Sequence, residues 1–232
     1  MDVFNEKRGR LLILLQLPML VSCTTLITLG RSSSLTEGTK TQIQETVCLE
    51  SLNNGRVFPE TRQFGTFLSA DAFFSDVFQE ELSKHFYTKP MKDCLSESFR
   101  VLVSMEDISF HSYSIGSIIP VVTASTNVTV SIQFIQNNQD TSSAIIRSDI
   151  IEGTMGSSDL VLALVARAAI RDATMKSVQY ILCKKSNRTS CQSVAPVKRI
   201  ISVTSMAEEY KQMQLQGEPF VFHYLWSIPR TP

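Results

Sequence analysis

The chain is expected to be an α+β protein, with an antiparallel sheet of about four or five strands packed against two main helices. Two long segments place apolar residues at the 3.6-residue helical period, and several shorter ones alternate with the two-residue period of a half-buried strand. Their order is helix, strand, strand, strand, long helix. Apolar residues make up 43% of the 232 and charged residues 19%, which supplies a core and argues against wholesale disorder.

The first helix is "SADAFFSDVFQEELSKHF", Ser69 to Phe86. Phe73, Phe74, Val77, Phe78, Leu82 and Phe86 share one face, Ser69 is placed to cap the start, and Asp71 and Asp76 lie toward that end. The phenylalanine stripe reads as core rather than as a ligand pocket. "TKPMKD" supplies a turn, and Pro90 ends any helix. In "SFRVLVSMEDISF", Phe99, Val101, Val103 and Met105 face one way and Arg100, Ser104 and Glu106 the other, the pattern of a strand. "STNVTVSIQFIQ" repeats it with Val128, Val130, Ile132 and Phe134, and "NNQD" is a hairpin turn signal. "SAIIRSDIIEGTM" is the return strand, with Gly153 and Gly156 ending it.

"SSDLVLALVARAAIRDATMKSVQYIL", Ser157 to Leu182, is the long helix. Val161, Leu164, Val165, Ala168, Met175 and Leu182 form its apolar stripe, and Arg167, Arg171, Asp172 and Lys176 are expected to be solvated. Those charges argue against a membrane span despite its length. A polar loop, "CKKSNRTSC", leads to a strand in "VKRIISVT" and then to a short helix opened by a capping box, Ser205 to Glu208. The aromatic run "PFVFHYLWSIP" closes the chain and reads as a last core strand; an edge that docks a partner or rests at a lipid interface is the alternative.

The N-terminus carries most of the functional information. Lys7, Arg8 and Arg10 precede an apolar run from Leu11 to Val21, the basic and hydrophobic regions of an export signal. Leu and Ile cover the whole circumference of that run and Pro18 breaks its last turn, so a buried helix of the fold is a poor account. Uncharged residues continue to Gly30, long enough to span a bilayer, but Ser22, Thr24, Thr25 and Thr28 make the second half much less apolar. "LVSC", Leu20 to Cys23, resembles the lipobox of bacterial lipoproteins. That resemblance implies cleavage after Ser22 and diacylation of Cys23, giving a signal peptide over 1–22. An uncleaved anchor ranks second and a simple cleaved signal third. Thr24 stands where an Asp retains many enterobacterial lipoproteins in the inner membrane, so the same resemblance points to the outer membrane, facing the periplasm.

Residues 23–54 then form the lipidated N-terminus and a polar tether, part of which, "TQIQETVCLESL", can pair as a strand. Residues 55–232 form a single periplasmic domain with an extra segment from about 183. The element order over roughly Phe58 to Leu182 resembles small envelope lipoproteins: the auxiliary lipoproteins of ABC-type lipid transporters, the YajG type and the LptE type. The segment from Cys183 to Pro232 departs from that pattern.

Five cysteines, Cys23, Cys48, Cys94, Cys183 and Cys191, form neither a CxxC pair nor a Cys/His cluster of zinc spacing. With Cys23 set apart, four remain, which fits two disulfides in an oxidising compartment or four buried thiols. Cys183 and Cys191 are the best pairing candidates because they close a short polar loop, and three connectivities stay open. The histidines, His85, His111 and His223, have no HExxH, GxSxG or HxE companion, and the acidic pairs Glu80/Glu81, Glu106/Asp107 and Glu208/Glu209 read as solvated faces. No nucleotide-binding glycine motif occurs, so no cofactor and no metal are expected. Basic and acidic residues balance at 22 each with no basic stripe, so nucleic acid is not an expected partner.

These readings converge on a non-enzymatic, lipid-anchored envelope protein. Its partners are the membrane, through the anchor, and a protein of an envelope assembly or lipid-transport machine. A secreted or membrane-anchored glycoprotein using the sequons at Asn127 and Asn187 is one alternative. An envelope hydrolase with an unrecognised site is the other.

Overall fold

The computed structural model describes residues 22–28, 46–49, 58–61, 65–68, 70–94, 99–115, 121–136, 139–155, 158–186, 191–215 and 223–227. In chain order these are β1 (Ser22–Thr28), β2 (Thr46–Leu49), β3 (Phe58–Thr61), β4 (Gly65–Leu68), α1 (Ala70–Ser83), β5 (Tyr87–Pro90), a 3-10 turn (Met91–Asp93), β6 (Arg100–Ile115), β7 (Val121–Gln136), β8 (Gln139–Arg147), β9 (Ile150–Met155), α2 (Ser158–Lys185), β10 (Lys198–Ile200), α3 (Val203–Leu215) and β11 (His223–Ser227). The fold is α+β, with more strands than expected and a sheet that is only partly antiparallel. One sheet has seven strands, in the order β10-β9-β7-β6-β2-β5 with β8 also on β7. The other has four, in the order β11-β1-β4-β3.

The antiparallel centre of the large sheet is β6, β7 and the return strand. Its parallel margins come from very short strands: β2 beside β5 and β6, and β10 beside β9. β2 lies within "TQIQETVCLESL" and β10 within "VKRIISVT", both read as strand-forming, whereas the four residues of β5 are too few for periodicity to reveal it. The start of the expected turn "TKPMKD", Thr88 to Pro90, thus lies in the edge strand β5, where Pro90 is tolerated.

Two bulges decide which side chains enter the core. Between Met105, opposite Val130, and Asp107, opposite Thr129, Glu106 is an extra residue on β6. Val101, Val103 and Met105 are buried before it, and the phase then flips so that Ile108 and Phe110 are buried after it. The second bulge separates β8 from β9 at Ser148 and Asp149, since Thr129 faces Arg147 but Thr126 faces Ile151. Ser148 repairs the ladder by donating its N–H to the Val128 carbonyl and accepting the Val128 N–H on its hydroxyl. Asp149 is thereby turned inward and buried.

The core lies between the inner face of this sheet and the two long helices. α1 presents Phe73, Phe74, Val77, Phe78 and Leu82, all buried, as its periodicity foretold, and the Phe74 and Phe78 rings pack 5.6 Å apart. Phe86 is buried just beyond the helix end, and Ser69 lies outside the described residues. Val128, Val130, Ile132 and Phe134 of β7 supply the sheet side.

α2 crosses this layer and is also touched by α1, α3 and β1, so it is buried around its whole circumference from Val161 to Arg167. Its charges are therefore not solvated as expected: Arg167 is 0% exposed and Asp172 is buried, while Lys176 and Arg171 are largely covered. Where the helix is enclosed it has no water-facing side, and a charge such as that of Arg167 must find its partner inside the protein. Met175, assigned to the apolar stripe, is instead 43% exposed.

Gly153 does not end the return strand; it lies within β9 at a convergence of elements. A Cβ there would sit 2.8 Å from Val165 Cγ1, 3.0 Å from Ile201 Cγ2 and 3.1 Å from Met206 Sδ. Only glycine lets α2, the segment after β10 and α3 approach β9 this closely. α3 also starts one turn earlier than the expected Ser205 box. Ser202 is the cap, its hydroxyl accepting the Ser205 N–H at 3.0 Å, and Glu208 is exposed. Among the described residues, no helix is long and apolar enough to cross a membrane.

Candidate functional site

Cys23 is the second residue of β1, opposite Trp226 of β11, in a strand that also pairs parallel to β4. The expected signal segment up to Val21 lies outside the described residues. Within the stretch expected as tether, Thr46–Leu49 is a strand whose Val47, Cys48 and Leu49 are buried, while 29–45 and 50–54 lie outside the described residues. Two disulfides close the domain. Cys183 pairs with Cys191, joining the last turn of α2 to the segment that follows, and Cys48 pairs with Cys94, joining β2 to the end of the 3-10 turn. Of the five cysteines, Cys23 is the one outside these bridges.

The structure does not gather the histidines. His85 is exposed, its Nε2 3.9 Å from Glu81; His111 is exposed on β6; His223 opens β11 opposite Leu26. Glu80 and Glu81 lie on α1, and Glu106 in its bulge accepts a bond from the Ser131 hydroxyl. Among the described residues, no group of three His, Cys, Asp or Glu side chains is arranged to hold a metal ion. Asn127 lies within β7 opposite Ser109, half-buried, and its side-chain oxygen accepts a hydrogen bond from the Ser109 hydroxyl. Asn187 lies outside the described residues.

Sequence reasoning missed two buried ionic centres. The first surrounds the bulge. Asp149 accepts from Lys176 Nζ and from the Val197 N–H, and its own N–H donates to Asp172 Oδ2 at 2.7 Å. Arg199 Nη2 donates to Asp172 Oδ1 at 3.3 Å, and Lys198 pairs with Glu152 at 2.8 Å. These groups hold the strap 191–202 along β9, where Ile150 N–H also donates to the Val197 carbonyl and Ile201 N–H to the Glu152 carbonyl. Side chains 192–200 are exposed, so charge, backbone bonds and the Cys183–Cys191 bridge fasten the strap, with little help from burial.

Burial works to raise the Asp149 pKa, but the Lys176 hydrogen bond, the Val197 amide and the charges of Lys176 and Arg199 outweigh it and hold the carboxyl below the usual aspartate range. A depressed folded-state value means that the carboxylate stabilises the strap fully above the unfolded value, ~3.9, and that this contribution is lost as pH falls through the folded one. Asp149→Asn should therefore lower the hydrogen-exchange protection of the Ile201 amide at neutral pH and remove much of its acid dependence. Equal protection in variant and wild type at neutral pH would contradict this role.

The second centre joins α1, α2 and α3. Arg167 Nε donates to Glu209 Oε2 at 2.9 Å and Arg171 Nε to Glu209 Oε1 at 2.6 Å. Both guanidinium groups lie over the Phe73 ring, with Cζ 4.3 Å and 5.3 Å from its centroid. Glu209, read as part of a solvated pair, is thus the carboxylate gripped by two arginines. The spacing of Arg167 and Arg171, four apart on an alanine-rich helix, was the available signal. Both centres neutralise charge and position elements.

No protein-family model matches the chain, and no curated protein matches it. Solved structures that resemble it include a Xanthomonas campestris protein of the DUF330 family, at 9% identity and a TM-score of 0.42, over 71% of this chain and 98% of that one. A neuraminyllactose-binding hemagglutinin homologue from Helicobacter pylori matches at 10% identity and a TM-score of 0.41, over 76% of this chain and 96% of that one. A minor lipoprotein of Acinetobacter baumannii matches at 10% identity and a TM-score of 0.31, over 62% and 94%. Likeness at these levels carries no inference about function.

Proposed function

We propose that this chain is a non-enzymatic envelope protein, anchored through lipid on Cys23 and serving as an accessory or scaffold subunit of an envelope assembly or lipid-transport machine. The observation that carries this reading is the distribution of cysteines. Four are closed into disulfides, which persist in oxidising compartments, and the fifth is Cys23, at the end of an apolar segment preceded by basic residues. One acyl chain holds a protein only marginally at a bilayer, at ~0.8 kcal/mol per buried methylene, and a second makes the attachment stable. With Cys23 acylated, β1 starts at the anchor and brings the four-stranded sheet to the membrane surface.

Labelling cells with a fatty-acid analogue tests the proposal. Wild-type protein should take up the label and fractionate with membranes, whereas Cys23→Ala should lose the label. Undiminished labelling of the Cys23→Ala protein would overturn the lipoprotein reading.

A further inference from the structure

We propose that the Cys183–Cys191 disulfide is a redox-sensitive clasp: a dithiol reductant opens it in the folded protein and loosens the strap 191–202 from β9, while the Cys48–Cys94 bridge stays closed. Both cysteines of the clasp are partly exposed, and each borders a cleft. Cys183 lines one of about 90 Å³ with Gln179, Tyr180 and Val194, and Cys191 lines a wider one of about 380 Å³ with Ala144, Ile145 and Ser193. A thiolate must reach a sulfur to exchange with it, so this bridge is open to attack at either end. In the other bridge Cys48 is fully buried, which leaves Cys94 as the point of entry. Thermodynamics favours the same order. A bridge that closes a long loop is held shut by the folded chain more strongly than one that closes a short loop, and the two separations are 46 and 8 residues.

The exchange balances with the dithiol alone. One of its thiolates attacks a sulfur of the bridge, and the S–S bond breaks with its electron pair on the other cysteine, which takes up the proton that the attacking thiol gave up. The second thiol of the reductant then displaces the first from the mixed disulfide, so the dithiol ends as a disulfide and Cys183 and Cys191 as two thiols. What still holds the strap is modest. Side chains 192–200 are exposed, β10 pairs with β9 over three residues, and Lys198 and Arg199 make their ion pairs from side chains 61% and 52% exposed, where such pairs contribute little. Opening the clasp moves the fixed point before the strap from Cys191 back to the end of α2 at Lys185. That roughly doubles the span of chain leading to Val197 and disfavours docking about threefold. The core between β7, α1 and α2 keeps its packing, because the clasp lies outside it.

Treating the full chain in detergent with dithiothreitol at neutral pH, trapping the thiols by alkylation and mapping them by mass spectrometry tests the selectivity. Cys183 and Cys191 should be alkylated together while Cys48 and Cys94 remain joined. Simultaneous or earlier opening of Cys48–Cys94 overturns the proposal, and so does a Cys183–Cys191 bridge that resists until the protein is unfolded in denaturant. Hydrogen exchange in the same reductant reads the consequence. The Ile150 and Ile201 amides, which donate to the Val197 and Glu152 carbonyls, should exchange about threefold faster, and the Val130 amide in β7 should keep its oxidised rate. Joint replacement, Cys183→Ser with Cys191→Ser, should reproduce the exchange of the reduced protein without any reductant. Unchanged exchange at Ile201 in the reduced protein, or failure of the double variant to fold, overturns the proposal.

Discussion

Replacing Arg167 with alanine should lower the unfolding free energy by about 3–5 kcal/mol, the cost of breaking a buried ion pair from one side. Arg167 has no exposed surface, grips Glu209 at 2.9 Å and stacks on Phe73, so truncation removes a charge, a ring contact and packing volume together. Arg167→Met should lose less, because it refills the space while Glu209 keeps its pair with Arg171. Urea unfolding of the three proteins measures both effects. A loss below 1 kcal/mol for Arg167→Ala would show that the pair does not hold α3 to the body.

Opening the Cys48–Cys94 bridge by double alanine replacement should cost about 4 kcal/mol, and opening Cys183–Cys191 only about 2.5 kcal/mol, on the loop-entropy account. The first bridge spans 46 residues and the second 8, so the first removes more freedom from the unfolded chain. Cys48 is also fully buried, in a four-residue strand whose register with β6 extends over only two pairs, and its N–H donates to the Phe99 carbonyl. β2 thus depends on the bridge for its place between β5 and β6. Equal losses for the two bridges, measured by the same unfolding, would contradict the loop-length argument.

What the sequence discloses depends on the range of the interaction involved. The phenylalanine face of α1 and the alternating face of β7 are local patterns, and every residue named for them is buried. The hairpin between β7 and β8 was legible for the same reason, as Gln136 pairs with Gln139. The bulges at Glu106 and Asp149 were not legible, because one inserted residue inverts the phase and nothing local marks it. Pairing of β1 with β11 joins opposite ends of the chain, and no periodicity encodes a partner.

The charged residues of α2 were misassigned for a related reason. Periodicity shows an apolar face but not how many neighbours a helix will have. Once the sheet, α1, α3 and β1 enclose α2, the stripe holding Arg167, Asp172 and Lys176 becomes an interior surface that must be neutralised. Glu209 and Asp149 were read as ordinary surface or strand residues, and each instead completes a centre assembled from separate segments.

Mass spectrometry of the N-terminal peptide of protein extracted from membranes tests lipid attachment at the Cys23 sulfur most directly. The mature chain should begin at Cys23 and carry a diacylglyceryl thioether on that residue. Recovery of peptides that run unbroken from Val21 through Thr25 with an unmodified Cys23 as the main species would contradict it.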